Sequence, residues 1–321
     1  DFYFPEEGPE YRVMQRVYRP LTFMKVAIWI GHRLASNRKV IERILQYQHQ
    51  SGGVFNYIGD DPAVVEEQPT LGTLNTSFFG HLMIYLEERE RAIRVGDFLK
   101  RFVEANESYT ANEGRFYTRM TPDGRLITDL KPGERYTGVV DRALAKQEFW
   151  QTGTTMAYLA CLYEAIRDGW GDEGRARPYL DAALALLPFE VAMPLEGYLW
   201  PSKCKVAWGA GELLRVLLKY GLGTEQQIED AYQVARKVVT YTFVGSQLPT
   251  GGWSAVHYPL SELDPEYELD YFPLRGRVNV PQEAIPGASK LYLPPEELTG
   301  EFLGEMEVAY RALLAYRRRP A

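Results

Sequence analysis

Candidate acid and base groups stand beside the expected starts of helices. Glu301 opens an apolar-rich helix near the carboxyl terminus, and Asp141 precedes a helix that should begin near Gln151. His257 follows the glycine-rich loop at 251–253. Acid/base chemistry commonly uses groups whose surroundings set their pKa values apart. Glu301, Asp141 and His257 are therefore the candidate catalytic groups, although each alone would also suit a solvated surface position.

Polar side chains that could hold the oxygen functions of a substrate occur at the same kind of position. They are Asn75, Gln151, Lys203 and Lys205, with Glu301 and Glu305 at one further helix start. If these helices begin at one end of the fold, their unpaired N–H groups and dipoles favour polar or anionic ligands there. Helix capping is the simpler explanation for Asn75 and for Thr76 and Thr152.

Aromatic side chains lie in or beside the loops that precede these helices. They are Tyr57, Trp150, Trp200, Trp253 and Tyr258. Aromatic rings can line a cavity for an apolar or sugar-like ligand, and they can also anchor loops by simple packing. We expect them to contribute to substrate binding.

A repeated pattern of helical hairpins must position these groups. Apolar-rich helices are predicted at 21–35, 73–88, 151–167, 203–220 and 300–317, and amphipathic helices at 38–48, 91–104, 176–187 and 225–244. Helices apolar on most faces are buried, and such hairpins must stack to cover their apolar sides. The sequence therefore predicts one all-α domain over 1–321. We expect an α/α toroid, an incomplete (α/α)5–6 barrel with five inner helices, four outer helices and short β-hairpin or loop excursions.

Two segments interrupt the helical pattern. The segment 114–140 contains the turn sequence Thr121-Pro122-Asp123-Gly124, which predicts a hairpin over the mouth of the ring. The proline-rich segment 256–298 is long for a connection in a compact domain. Loops of this length are often lids or binding loops, and a plain surface excursion is the alternative.

Composition excludes several classes of function. The formal charge of -7, without a dominant basic stripe, argues against nucleic acid as a partner. No apolar run approaches the roughly 20 residues of a membrane span. Two cysteines and four dispersed histidines favour neither a disulfide framework nor a zinc site. Phosphate-loop, dinucleotide-binding and nucleophile-elbow motifs are also absent. We expect a small-molecule substrate, no metal and no cofactor; a cytoplasmic location is favoured, and the oligomeric state is open.

One short motif carries a family resemblance. The stretch Gln247-Leu248-Pro249-Thr250-Gly251-Gly252-Trp253 fits the Gln-x3-Gly-x-Trp repeat of terpenoid cyclases, and the stretch 48–55 is a degraded copy. The chain therefore resembles the terpenoid cyclase and prenyltransferase toroids, in which such repeats close the ends of outer helices. The acidic Asp-x-Asp-Asp motif of class II cyclases is absent, and the zinc ligands of protein prenyltransferases are not recognisable. The family's active-site residues therefore do not transfer to this chain.

The leading functional hypothesis is a cofactor-independent lyase, isomerase or cyclase. It would act on a small, largely apolar metabolite, isoprenoid- or polyketide-like, by acid/base catalysis in the mouth of the barrel. The alternative is a carbohydrate-active enzyme: a uronate epimerase, a polysaccharide lyase or a glycoside hydrolase with two facing carboxyls in an open cleft. A third possibility is a non-catalytic helical repeat scaffold with an open concave face that binds peptide.

Overall fold

A computed structural model describes residues 14–55, 57–59, 70–130, 138–143, 150–194, 198, 203–244 and 295–319. The described chain is mostly helical, which confirms the all-α prediction. Its helices are α1 Tyr18–Trp29, α2 Arg38–Leu45, α3 Thr73–Tyr85, α4 Arg89–Ser108, α5 Gln151–Glu164, α6 Glu173–Val191, α7 Cys204–Tyr220, α8 Glu225–Lys237 and α9 Pro295–Arg317. None of these helices is both long and apolar enough to cross a membrane.

The apolar-rich helices α1, α3, α5, α7 and α9 pack side by side in chain order. Contacts near their starts and near their ends show that they run in the same direction. Thr73 meets Gln151 at the starts of α3 and α5, and Arg215 of α7 meets Glu164 near the end of α5. We call these five helices the parallel set. Their side chains form most of the core because α3, α5 and α7 are buried along nearly their whole length.

The amphipathic helices α4, α6 and α8 return the chain between members of the parallel set. Tyr158 of α5 donates a hydrogen bond of 2.6 Å to the carbonyl oxygen of Ala92 in α4. The start of α8 is fixed by a capping box, in which Thr224 and Gln227 satisfy each other's backbone N–H groups. Each return helix turns its apolar stripe to the parallel set and its charged residues to solvent.

Two glycines allow α5 and α7 to approach closely. A Cβ atom on Gly209 would lie 2.3 Å from the carbonyl oxygen of Gly153, and one on Gly153 would lie 2.4 Å from the carbonyl oxygen of Lys205. Both distances are shorter than any real contact, and the opposing atoms belong to the backbone. The first turns of α5 and α7 are therefore held at a fixed separation.

Helix ends differ from the predicted bounds where local chemistry is decisive. The helix predicted at 21–35 stops at Trp29 because Gly31 adopts a left-handed φ of 64°, and a short 3-10 turn follows at Arg33–Ser36. The last helix begins five residues earlier than predicted, at Pro295, since proline suits the first turn of a helix. The pattern predicted to 244 ends as α-helix at Lys237 and continues as a π-helix, Val238–Val244.

Three short antiparallel ladders accompany the helices. They pair β1 Met14–Arg16 with β2 Tyr57–Gly59, β3 Leu71–Gly72 with β5 Arg119–Met120, and β4 Arg115–Tyr117 with β6 Val139–Asp141. The predicted turn in 114–140 is confirmed, because the N–H of Gly124 donates to the carbonyl oxygen of Thr121 at 2.9 Å. Nearly all of the proline-rich segment 256–298 lies outside the described residues.

Candidate functional site

The starts of α3, α5 and α7 bring four predicted site residues, Asn75, Trp150, Gln151 and Lys205, to one end of the parallel set. The hydroxyl of Thr73 donates to the side-chain oxygen of Gln151 at 2.8 Å, and both residues are buried. Asn75, also predicted, is buried on the first turn of α3. Trp150 precedes α5, and the Nζ atom of Lys205 lies over its ring, 5.9 Å from the ring centroid. The first turns of α3, α5 and α7 therefore contact one another, and the role of these residues in substrate binding remains a prediction.

A carboxylate from α9 completes this end of the set. The Nζ atom of Lys205 lies 3.7 Å from Oε1 of Glu305, and the two side chains expose 7% and 12% of their surface. The predicted acid Glu301 lies one turn earlier on α9, and its side chain is outside the described residues. Glu305 thus pairs with a lysine from a neighbouring helix of the parallel set.

Lys203 occupies a different environment from the one expected of a substrate-binding lysine. Its Nζ atom lies 2.6 Å from Oε2 of Glu190, and neither side chain exposes any surface. The hydroxyl of Thr152 donates to the other oxygen of Glu190, and the hydroxyl of Tyr198 donates to its carbonyl oxygen at 2.7 Å. Burial lowers the pKa of Lys203, while Glu190 opposes that effect. This geometry suits a buried structural ion pair joining α6 to the start of α7.

Asp141 lies at the end of β6, in contact with a neighbouring strand. Its Oδ2 atom accepts a hydrogen bond of 2.8 Å from Nε of Arg115 in β4, and its Oδ1 atom accepts one of 2.9 Å from the N–H of Ala143. Both carboxylate oxygens of Asp141 thus accept hydrogen bonds, and the bond from Arg115 links β6 to β4. Its predicted catalytic role remains a prediction.

Several predicted residues fall beyond the described part of the chain. His257, Tyr258, Trp200 and Trp253 lie outside the described residues, as do the side chains of Glu301 and Tyr57, whose backbones lie in α9 and β2.

A second group of polar residues lies farther along the parallel set, around Lys25 of α1. The Nζ atom of Lys25 is 4.7 Å from the ring centroid of Trp29, 4.9 Å from that of Trp208 and 5.9 Å from that of Phe78. Within the described ranges, no carboxylate lies within ion-pair distance of this ammonium. Lys25 is therefore held by aromatic faces from α1, α3 and α7.

His81 of α3 borders the same aromatic group. Its ring stacks on Trp208 with centroids 4.7 Å apart, and it meets the edge of Tyr158 at 5.3 Å. The side chain is 4% exposed, and its Nε2 atom has no hydrogen-bond partner in the described part of the protein. Burial, and secondarily the charge of Lys25, holds the pKa of His81 well below its usual value. The imidazole is therefore neutral at physiological pH.

Acidic and thiol groups from the remaining members of the parallel set act on Lys25. Burial lowers the pKa of Lys25, whereas Glu305, Cys161 and Glu212 raise it by smaller amounts. Burial also raises the pKa of the Cys161 thiol, and Glu212 adds to that effect. A cation, a neutral imidazole, a thiol and two carboxylates thus come from five helices. We call Lys25, His81 and Trp208, with Phe78 and Trp29, the lysine–histidine site.

The lysine–histidine site has an outer edge that faces solvent. Trp29 is 56% exposed and Tyr85 is 43% exposed, and their rings meet edge to face at 6.0 Å. Lys25 itself is partly accessible. Lys25 therefore lies closer to solvent than His81, which is buried.

An ion-pair network at the far ends of α5 and α7 supports this arrangement. Arg215 and Lys219 both contact the carboxylate of Glu164, and Lys219 also reaches Asp168 at 2.8 Å. Burial raises the pKa of Glu164, but hydrogen bonds from Arg215 and Lys219 outweigh it and lower the value to about 2. Arg215 also donates to Glu212 at 2.8 Å, so the network fixes one of the two carboxylates that influence Lys25.

A surface groove on the return helices is separate from both groups. It has a volume of about 320 Å³ and lies between α4 and α6, lined by Lys100, Glu104, Glu107, Asp181 and apolar side chains. Lys100 already contacts Glu104 at 3.1 Å. The groove contains none of the predicted site residues.

The sequence analysis named neither Lys25 nor His81 as a site residue. Lys25 interrupts the apolar run 21–30, and this interruption was the available signal, since a lone charge in a buried helix needs a reason. The signal for His81 was its position among apolar residues in the middle of α3. Neither signal identifies the aromatic rings that enclose Lys25, because those rings come from distant segments.

Within the described residues, no cluster of three or more His, Cys, Asp and Glu side chains is arranged to hold a metal ion.

Comparison with known proteins found no relative of this chain. No family model, no curated protein and no solved structure matches the chain. Any functional interpretation therefore depends on the geometry of its own residues.

Proposed function

We propose that the protein is a lyase, isomerase or cyclase that moves protons on a small, largely apolar metabolite at the lysine–histidine site. One observation carries the proposal. A lysine without an ion-pair partner in the described chain is enclosed by three aromatic rings, next to a buried histidine whose Nε2 atom has no hydrogen-bond partner there. Titratable groups whose pKa values are shifted by burial and by a nearby charge are typical of active sites.

His81 supplies the proton-transfer group of this proposal. A neutral imidazole with an unengaged nitrogen can accept a proton from carbon or oxygen and return it elsewhere on the substrate. The low pKa of His81 keeps the ring available as a base at neutral pH. Its stacking on Trp208 fixes the plane in which the nitrogen lies.

Aromatic side chains provide the binding surface for an apolar substrate. Trp29, Phe78 and Trp208 offer ring faces to the space around the Lys25 ammonium, so the same faces suit a hydrocarbon skeleton or a developing positive charge. Glu305 and Glu212 would balance the charge that forms there. In this proposal His81 and Lys25 take the catalytic roles that the sequence analysis gave to Glu301, Asp141 and His257.

The helix arrangement is consistent with an α/α toroid. Five parallel helices with antiparallel returns are the building plan of such a ring. The lysine–histidine site is built from α1, α3 and α7, and charged or thiol groups of α5, α7 and α9 influence the pKa of its lysine. In this proposal the site lies inside the ring, and Trp29 and Tyr85 mark its entrance.

Proton exchange tests the proposal without knowledge of the substrate. A panel of small unsaturated alcohols, ketones and aldehydes is incubated with the protein in D2O, and deuterium incorporation is followed by mass spectrometry. We expect incorporation into at least one probe and a loss of about a hundredfold or more in H81Q, since general base catalysis contributes that much. The matched control is H32Q, because His32 is exposed at the start of the 3-10 turn.

Two results would contradict the proposal. Exchange that is equally fast in H81Q and H32Q would remove His81 from the chemistry. Binding of sugars or peptides, with no binding of the apolar probes by tryptophan fluorescence, would favour the carbohydrate-active or scaffold alternative instead.

A further inference from the structure

Lys25 differs from the other lysines on the parallel set in the groups that contact its ammonium. Lys203 contacts Glu190 at 2.6 Å, Lys205 contacts Glu305 at 3.7 Å, and Lys219 contacts Glu164 at 2.6 Å. Each of these ammonium groups has a carboxylate partner. Among the described residues Lys25 has only aromatic rings, at 4.7 to 5.9 Å. A structural explanation by ion pairing therefore does not apply to it.

The surroundings of Lys25 make its ammonium easier to deprotonate than that of a solvated lysine. Aromatic enclosure removes water from the ammonium, and this desolvation is the largest influence on its pKa, which is lowered. The opposing groups are Glu305 from α9, Cys161 from α5 and Glu212 from α7, and His81 from α3 is neutral. A desolvated lysine with a free lone pair is the usual form of a nucleophilic amine.

We propose that Lys25 reacts with the carbonyl group of the substrate, so that the protein acts on a small apolar aldehyde or ketone held as an imine between Trp29 and Trp208. This inference rests on the proposed function and names its substrate class. The two tryptophans and Phe78 surround Nζ, so the flat imine would lie against ring faces.

The chemistry balances with water as the other reactant. The Nζ lone pair attacks the carbonyl carbon, and the carbonyl π electrons move to oxygen, which takes a proton from the nitrogen. One proton from solvent then lets the carbinolamine lose its hydroxyl as water, which leaves a protonated imine. The protonated imine draws electrons from the adjacent C–H bond, and Nε2 of His81 accepts that proton to give an enamine. In a β,γ-unsaturated substrate the enamine is conjugated, so His81 can return the proton to the γ carbon. Hydrolysis of the imine by water releases the isomerised carbonyl compound, Lys25 and the proton, and nothing is oxidised or reduced.

The test uses 3-phenylpropanal, an apolar aldehyde with hydrogens next to its carbonyl carbon. The full chain is incubated with it in D2O at neutral pH, with and without sodium cyanoborohydride, which reduces an imine to a stable amine. Peptide mass spectrometry locates the reduced adduct, and NMR follows hydrogen exchange beside the carbonyl. The variants are K25M, K25R and H81Q, and the control lysine is Lys39, which is exposed on α2.

We expect labelling of Lys25 at least about ten times faster than that of Lys39, because a lowered pKa raises the fraction of neutral amine. K25M and K25R should lose the adduct and the exchange together. H81Q should retain the adduct but exchange about a hundredfold more slowly. Labelling of the wild-type chain is informative by itself, so the test does not depend on the folding of any variant.

Failure of this inference is distinguishable from failure of the proposed function. Labelling of Lys25 no faster than of Lys39 overturns the inference. Exchange that persists in K25M but is lost in H81Q also overturns it, yet leaves proton transfer at the site intact. An adduct at Lys25 with no exchange supports the imine and removes the proposed proton transfer by His81.

Discussion

Removing Lys203 should cost much of the protein's stability. The Lys203–Glu190 pair is 2.6 Å long, and both side chains are 0% exposed. The variant K203M would leave the Glu190 carboxylate buried, and among the described residues the hydroxyl of Thr152 would be its remaining side-chain donor. Breaking a buried pair from one side costs about 3–5 kcal/mol, because a charge remains without compensation. That loss is a large part of the 5–15 kcal/mol, roughly, that stabilises a typical domain.

Urea denaturation followed by circular dichroism measures this cost. The matched control is R38M, which removes a pair of 2.8 Å whose side chains are 90% and 55% exposed. We expect the control to change the free energy of unfolding by less than about 1 kcal/mol. The double variant K203M/E190L should recover most of the loss, since apolar replacement of both partners is often close to neutral.

A small effect would refute this reasoning. If K203M and R38M lower the free energy of unfolding equally, Lys203 is not locked in a buried pair. Its ammonium would then be available to a ligand, as the sequence analysis expected.

The remaining predictions concern packing and pH. G209A should lower the free energy of unfolding by about 1–3 kcal/mol, because the added Cβ atom would lie 2.3 Å from the backbone of Gly153. The control G304A should be neutral or stabilising, because nothing lies within 4 Å of the added Cβ atom. Equal effects of the two variants in thermal melts would contradict the close approach of α5 and α7. For His81 the folded pKa lies below the unfolded value, so its contribution to stability is complete above about pH 6.5 and falls below it by up to about 1.4 kcal/mol per pH unit. Urea melts of H81Q should show a flatter acid limb than wild type, and parallel limbs would count against a buried neutral ring. For Glu164 the pKa falls from 4.5 to about 2, so its contribution is present above 4.5 and is lost as the pH falls toward 2. E164Q should cost roughly 2 kcal/mol at neutral pH, after allowance for solvent screening, and an unchanged acid limb in E164Q would exclude this role.

Helix positions were predictable because their causes are local. The apolar run of α5 and the capping box at Thr224 and Gln227 both lie within one helix or at its end. Periodicity and end signals of this kind need no knowledge of the rest of the chain. The polar helix starts were predictable for the same reason, and the Thr73–Gln151 contact agrees with their expected convergence.

The partners of the charged residues were not predictable, because they depend on packing between helices. Lys203 and Lys205 lie two residues apart at the start of α7, yet Lys203 pairs with Glu190 of α6 and Lys205 with Glu305 of α9. The sequence around these two lysines does not show which carboxylate each one will contact. Lys25 is the converse case, since the sequence shows a charge in an apolar run but not the rings from α3 and α7 that enclose it.

Packing in chain order has a consequence for how the protein opens. Successive members of the parallel set contact one another, α3 with α5, α5 with α7 and α7 with α9. In a linear array the free energy of folding is close to a sum over repeats and their interfaces. Such a chain can fray in separate cooperative units, which amide hydrogen exchange resolves. Protection should therefore be highest in α5, in the middle of the array, and in its neighbours α3 and α7, and the first local openings should occur in units nearer the two ends.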